Sequence, residues 1–150
     1  MPLIELSTGI EAPIERVFDL ARSIDAHMSS AAQTGERAVA GRTSGLIEVG
    51  ETVTWEARHF GVKQRLTVKI TEMDRPRSFE DVMVKGAFAS MQHRHEFEEV
   101  DGVTRMRDRF EFSAPLGILG RMAEKLFLTA YMTRFLEIRN AHLKAAAEDV

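Results

Sequence analysis

Hydrophobic and polar positions change period twice along this chain. Residues 3–11 alternate loosely and predict a first strand. Beyond Ala12 and Pro13, the apolar Ile14, Val17, Phe18 and Ala21 recur at helical spacing and predict a short helix. Pro13 falls near the first helical position, where its missing N–H costs nothing. A second short helix is predicted from Ile24 to about Ala32, with Ser23 or Asp25 as its cap. From Gly35 the period is two, and strands are predicted over 36–42, 51–60, 62–74, 78–85, 87–100 and 103–113. The separators, among them Gly61, Arg75-Pro76-Arg77 and Asp101-Gly102, are turn-like and too short for crossover helices, so the sheet is expected to be antiparallel. After Pro115-Leu116-Gly117 the helical period returns and persists over 116–148. Leu119, Ala123, Phe127, Tyr131, Phe135, Ile138 and His142 climb one side of this long helix. Leu126 and Ala130 widen that stripe, while Arg121, Lys125, Arg139 and Lys144 fall on the far side.

A sheet with one charged face needs an apolar cover on the other, and only the last helix is long enough to supply it. The expected fold is α+β: a seven-stranded curved antiparallel sheet around a long C-terminal helix, with two short helices after the first strand, in one domain over 1–150.

Alternation sorts the side chains by face. Val53, Trp55, Ala57 and His59 share one face of their strand; Val62, Gln64, Leu66, Val68 and Ile70 share one face of the next. Met91, His93, His95 and Phe97 form a third set, and Met106, Asp108, Phe110 and Phe112 a fourth. In 78–85 two sets compete, Phe79, Asp81 and Met83 against Glu80, Val82 and Val84. The opposite faces are mixed charges, as on a solvated sheet. The inward sets are mainly apolar, yet they collect His59, Gln64, His93, His95 and Asp108, with Asp81 if its strand faces that way. Polar groups are costly to bury unless they pair or meet water, so this mixture predicts a cavity with polar groups on an apolar wall.

Composition narrows the function classes. The 150 residues are 44% hydrophobic and 29% charged, with a net charge of −3. No global basic field exists to attract nucleic acid or an anionic membrane. The absence of cysteine removes disulfides, thiolate metal sites and cysteine nucleophiles together. Residues 1–5 have neither the basic nor the apolar region of a secretion signal, and the most apolar window, 116–132, is interrupted by Arg121, Glu124 and Lys125. A cytoplasmic protein without membrane insertion is expected.

Several segments, taken in order, carry a family resemblance. These are Glu36-Arg37-Ala38-Val39-Ala40-Gly41, Val53-Thr54-Trp55-Glu56-Ala57-Arg58-His59-Phe60-Gly61, Phe79-Glu80-Asp81, Gly86-Ala87-Phe88, His93-Arg94-His95-Glu96-Phe97, Thr104-Arg105-Met106-Arg107-Asp108 and Pro115-Leu116-Gly117. The chain resembles the START-like, or SRPBCC, superfamily over nearly its whole length. It is similar to a bacterial polyketide cyclase/dehydrase-like branch, and to the domain fused to an epimerase-like domain in some cell-division inhibitor proteins. Ala87 departs from the proline common at that position, which concerns turn geometry only. The resemblance implies a helix-grip fold and a ligand cavity more than a reaction, because the superfamily spans lipid carriers, hormone receptors and cyclases.

The ligand expected is a small hydrophobic or aromatic molecule with one or two polar groups. Trp55, His59, Gln64, Asp81, Met83, Met91, His93, His95, Met106, Asp108, Phe110, Leu126, Ala130 and Tyr131 are the candidate lining. His93 and His95 point the same way from one strand, with Asp108 on the neighbouring strand. That set could chelate a metal, but a His–Asp contact in the cavity wall is preferred, and neither metal nor cofactor is expected. A cyclase or dehydratase using His93, His95 and Asp108 for proton transfer is the alternative, and a protein-interaction domain the third. His27 and His142 have no visible partners and read as surface or structural. A homodimer is left open.

Overall fold

The computed structural model describes residues 2–31 and 34–149. Strand β1 (Leu3–Ile10) leads to helices α1 (Ile14–Ala21) and α2 (Ile24–Ser30). Six strands follow: β2 (Arg37–Gly41), β3 (Thr52–His59), β4 (Val62–Asp74), β5 (Ser78–Gly86), β6 (Ser90–Val100) and β7 (Val103–Ser113). The C-terminal helix consists of α3 (Gly117–Ala123), a π-helical segment (Glu124–Leu128) and α4 (Thr129–Glu148). Ala32, the expected end of the second helix, lies outside the described residues.

All seven strands form one antiparallel sheet in the order β1-β7-β6-β5-β4-β3-β2. The architecture is the one expected from the alternation. Register shifts between Ala38 and Ala40 in β2, and between Thr67 and Val68 and Ile70 and Glu72 in β4, bend the strands and curl the sheet. Residues 87–89 turn instead of extending β6 backwards, since Gly86 takes a φ of 143°. The ambiguity in β5 resolves with Phe79 buried and Asp81 facing inward, while Glu80 bonds to Thr71 and Gln92 on the outer face.

The two short helices close one end of the sheet. Ser23 caps α2 by accepting from the Ala26 N–H at 3.1 Å, while Asp25 accepts from the Gly45 N–H. Phe18 on α1 meets Phe79 and Phe97 edge-on at 5.4 and 5.2 Å, building the core beneath β5 and β6. Among the described residues, no helix is long and apolar enough to cross a membrane.

The C-terminal helix turns only part of the expected stripe inward, Tyr131 and Phe135. Its buried line runs through Gly120, Glu124, Leu136, Arg139, Asn140, Leu143 and Ala147, one residue out of step with the apolar stripe. Leu119, Leu126 and Phe127 are exposed, as are Ala130 and His142. Glu124 is inward because its carboxylate accepts from the Ala114 N–H at 2.6 Å. The π turn that starts there is stitched by Thr129, whose hydroxyl donates to the Glu124 carbonyl at 3.0 Å. Leu126 and Ala130 therefore point to solvent, and Arg139, read as a far-side charge, is buried at 5% exposure.

Gly120 shows how closely the helix start sits on the preceding loop. A Cβ there would lie 2.0 Å from the Pro115 carbonyl oxygen, a backbone atom. In an open helix, Gly→Ala stabilises by about 1 kcal/mol. Here Gly120→Ala is expected to destabilise by about 2 kcal/mol, through overpacking, in chemical unfolding. A stabilised variant would show that α3 stands away from the loop.

Candidate functional site

β6 sits at the centre of the polar cluster that alternation placed inward. Across the sheet His93 stands opposite Asp81 and Phe110, and His95 opposite Phe79 and Asp108. The bonds run diagonally. His93 Nε2 donates to Asp108 Oδ1 at 2.8 Å, and His95 Nε2 donates to Asp81 Oδ1 at 2.9 Å. The imidazoles stack at 3.8 Å, and Phe79 stacks on His95 at 4.1 Å. From the helix side, Asn140 Nδ2 donates to Asp108 Oδ2 at 2.7 Å. Both oxygens of a carboxylate 2% exposed are thus engaged. His95 Nδ1 lies 3.5 Å from Asp108 Oδ1 and has no hydrogen bond among the described residues.

This wiring separates the two histidines. Burial, reinforced by neighbouring His95, pushes His93 down to about 4 against the pull of Asp108. Burial also opposes charge on His95, but its contacts with Asp108 and Asp81 outweigh this and raise its pKa. Burial works to raise Asp108, yet the His93 hydrogen bond and the close contact with His95 hold it well below the usual carboxylate range. Asp81 is likewise lowered: burial opposes this and the His95 bond dominates. The proton is favoured on His95 and disfavoured on His93. A neutral His93 that donates through Nε2 keeps Nδ1 as an acceptor.

Asp81, His93 and His95 bring potential ligand atoms within 4.8 Å of one another. Both Nε2 atoms are already committed to carboxylates, and stacked rings do not aim at a common centre. The geometry fits a hydrogen-bond network better than a chelate.

Beside this cluster lies a cavity of about 300 Å³ between the concave sheet and the C-terminal helix. Trp55, Met91, Phe110, Phe135 and Leu136 form much of its apolar wall. Of the other expected residues, His59, Gln64, Asp81, His93 and Tyr131 also line it. His59 Nδ1 and the Tyr131 hydroxyl are 2.6 Å apart, tying β3 to α4 near the exposed Phe60. Burial lowers the His59 pKa, with Glu36 opposing.

The remaining candidates sit elsewhere. Leu126 and Ala130 point outward. Met106 is fully enclosed in the core, and Met83 packs against the core's edge, off the cavity wall. Asp108 and His95 lie behind His93 and support the wall without lining the main space.

Many lining residues were not among those expected from the sequence, and three of them, His27, Glu36 and Arg139, bring titratable or charged groups to the inner end. His27, read there as surface or structural, stacks on Trp55 at 4.0 Å and is hydrogen-bonded to Glu36. Glu36 itself lines the cavity, and its pKa is lowered because the His27 contact outweighs burial. Arg139 is the third. The partners of His27 come from Trp55 on β3 and from Glu36 just before β2, a meeting that no local spacing encodes.

A curved antiparallel sheet gripping a C-terminal helix over an internal cavity defines a START-like, helix-grip protein. The chain belongs to the polyketide cyclase / dehydrase and lipid transport family, which matches residues 1–148. The Thermus thermophilus protein TTHA0849 is similar in structure at 21% identity and a TM-score of 0.76, covering 97% of this chain and 99% of that one. A START superfamily protein from Mycobacterium smegmatis is similar at 13% identity and a TM-score of 0.73, covering 97% of each chain. Ginseng major latex-like protein 151 from Panax ginseng is similar at 17% identity and a TM-score of 0.68, again covering 97% of each chain. At these identities the likeness is one of fold. Comparison with curated proteins finds no match.

Proposed function

We propose that this protein binds a small hydrophobic or aromatic molecule in the cavity between sheet and helix. The observation that carries this reading is the cavity itself. A mainly apolar space of about 300 Å³ leaves its lining side chains without packing partners on one side, which a bound apolar molecule would supply. Its volume lies at the small end of ligand pockets, suited to a two- or three-ring compound. Apolar burial against Trp55, Met91, Phe110 and Phe135 supplies affinity. His59 with Tyr131, Gln64 and the free nitrogen of His93 supply orientation.

A cyclase or dehydratase step is the second reading, favoured by the His93–Asp108 pair beside the cavity. An imidazole whose pKa is about 4 is a weak base at neutral pH, so the geometry suits His93 better as a hydrogen-bond acceptor than as a proton carrier.

The test uses an uncharged environment-sensitive dye and two tryptophan substitutions two residues apart on the C-terminal helix. Leu128 lines the cavity, whereas Leu126 is 73% exposed. Leu128→Trp is expected to weaken dye binding about tenfold or more, and Leu126→Trp to leave it unchanged. Equal affinity in both folded variants would place the dye outside this cavity. Native mass spectrometry of the purified protein then shows whether a small molecule travels with it.

A further inference from the structure

Resting on that reading, we infer that Arg139 is the anchor for a carboxylate on the bound molecule, so the ligand class is an aromatic or hydrophobic acid. Arg139 is 5% exposed and lines the cavity. It also borders a second pocket of about 60 Å³ under α2, beside Ile24 and Ile47. Its guanidinium therefore stands at the inner end of the space. Five N–H donors converge there, yet among the described residues Arg139 makes no hydrogen bond; its one ion contact, to Asp108 Oδ1, is 3.9 Å long.

The neighbouring acids feel the charge of Arg139 but take their hydrogen bonds from other groups. Asp108 is bonded by His93 and Asn140, Asp81 by His95, and Glu36 by His27. Among the described residues, His95 Nδ1 and Asn140 Oδ1 are single unpaired atoms nearby, whereas Arg139 has its whole donor fork left over. A guanidinium is costly to bury without partners, and its planar fork matches a carboxylate in a two-point contact. The chain's geometry also sets the ligand's length. Tyr131 and Arg139 line the same cavity eight residues apart on one helix, about 12 Å along its axis. A fused aromatic ring system with a carboxylate fills that span, with the acid inside and the ring edge towards Tyr131 and Phe60.

Naphthoic acid and naphthamide have nearly the same shape and differ in charge at neutral pH. Titrated into the wild-type protein, the acid is expected to bind about tenfold more tightly or better. Arg139→Gln is expected to abolish that preference while binding of the uncharged dye persists, and Arg139→Lys to keep the charge but lose most of it with the fork. Equal binding of acid and amide by the wild type, or an acid preference surviving in folded Arg139→Gln, would overturn the anchor and leave the cavity reading standing. Dye binding without any binding of the acid overturns it as well. Failure of dye, acid and amide alike would instead sink the proposed function. If Arg139→Gln does not fold, the wild-type ratio and Arg139→Lys decide: an undiminished acid preference in the lysine variant counts against the two-point contact.

Discussion

Asp108→Ala is expected to cost about 3–5 kcal/mol of stability, one of the two largest effects of any single change considered for this molecule. The carboxylate joins β7 to β6 through His93 and to α4 through Asn140, with bonds of 2.8 and 2.7 Å. It is also the nearest counter-charge to Arg139, at 3.9 Å. Alanine leaves an imidazole N–H, an amide and a guanidinium facing a methyl group in a dry region. Each abandoned donor carries its own desolvation cost of about 1–3 kcal/mol, partly relieved by repacking or entering water. Asp108→Asn keeps the shape and one acceptor oxygen but loses the charge, so its cost should be smaller, about 1–3 kcal/mol. Urea unfolding of both variants, read at unchanged slope, checks the order and size. Wild-type midpoints for both would mean that the carboxylate is hydrated in solution and that sheet and helix are not joined through it.

The sheet was legible because its chemistry is periodic. One strand with charge at every second position admits a single inward face, which places His93, His95, Met106 and Asp108 inside without knowledge of any contact. The short Asp101-Gly102 turn made β6 and β7 neighbours, so a contact between Asp108 and one of the two histidines followed from local spacing, but the diagonal choice of His93 over the directly opposite His95 did not. The helix was legible in length but not in rotation. Its inward line contains Gly120, Glu124, Arg139 and Asn140, which a hydrophobicity count assigns to solvent. Each is inside for a reason that lies in another element: the Pro115 carbonyl leaves no room for a Cβ, Ala114 donates to Glu124, and Asp108 draws Asn140 and Arg139. Meanwhile Leu119, Leu126 and Phe127 stay exposed and mimic a buried stripe. The hydrophobic pattern and the buried face diverge where polar groups converge on the cavity, so the residues hardest to place from sequence are those with the most to say about the ligand.

Acidification should expose the state of His93. Its folded pKa of about 4 lies below the ordinary 6.5, so the native state excludes a proton that the unfolded chain accepts. The resulting stability is fully present above pH 6.5 and is lost as pH falls from there towards 4. Over that whole interval the loss is on the order of 3 kcal/mol, at 1.36 kcal/mol per pH unit. His95 moves in the opposite direction. Its folded pKa is raised, so its contribution is complete below 6.5 and is lost only as pH rises through the folded value. Asp81 and Asp108 have lowered values, so their contributions survive above the ordinary 3.8 and fail only in stronger acid. Between these limits, the falling limb belongs mainly to His93, with a smaller share from half-buried His59, whose pKa is also lowered. His93→Gln retains an N–H donor for Asp108 without a titrating ring. Its unfolding free energy should therefore fall less steeply between pH 6.5 and 4.5 than that of the wild type, the difference reaching about 2 kcal/mol at the acid end. Parallel profiles for the two proteins would show that His93 titrates normally and is open to water, and a wild-type stability that rises on acidification would reverse the assignment of the proton within the pair.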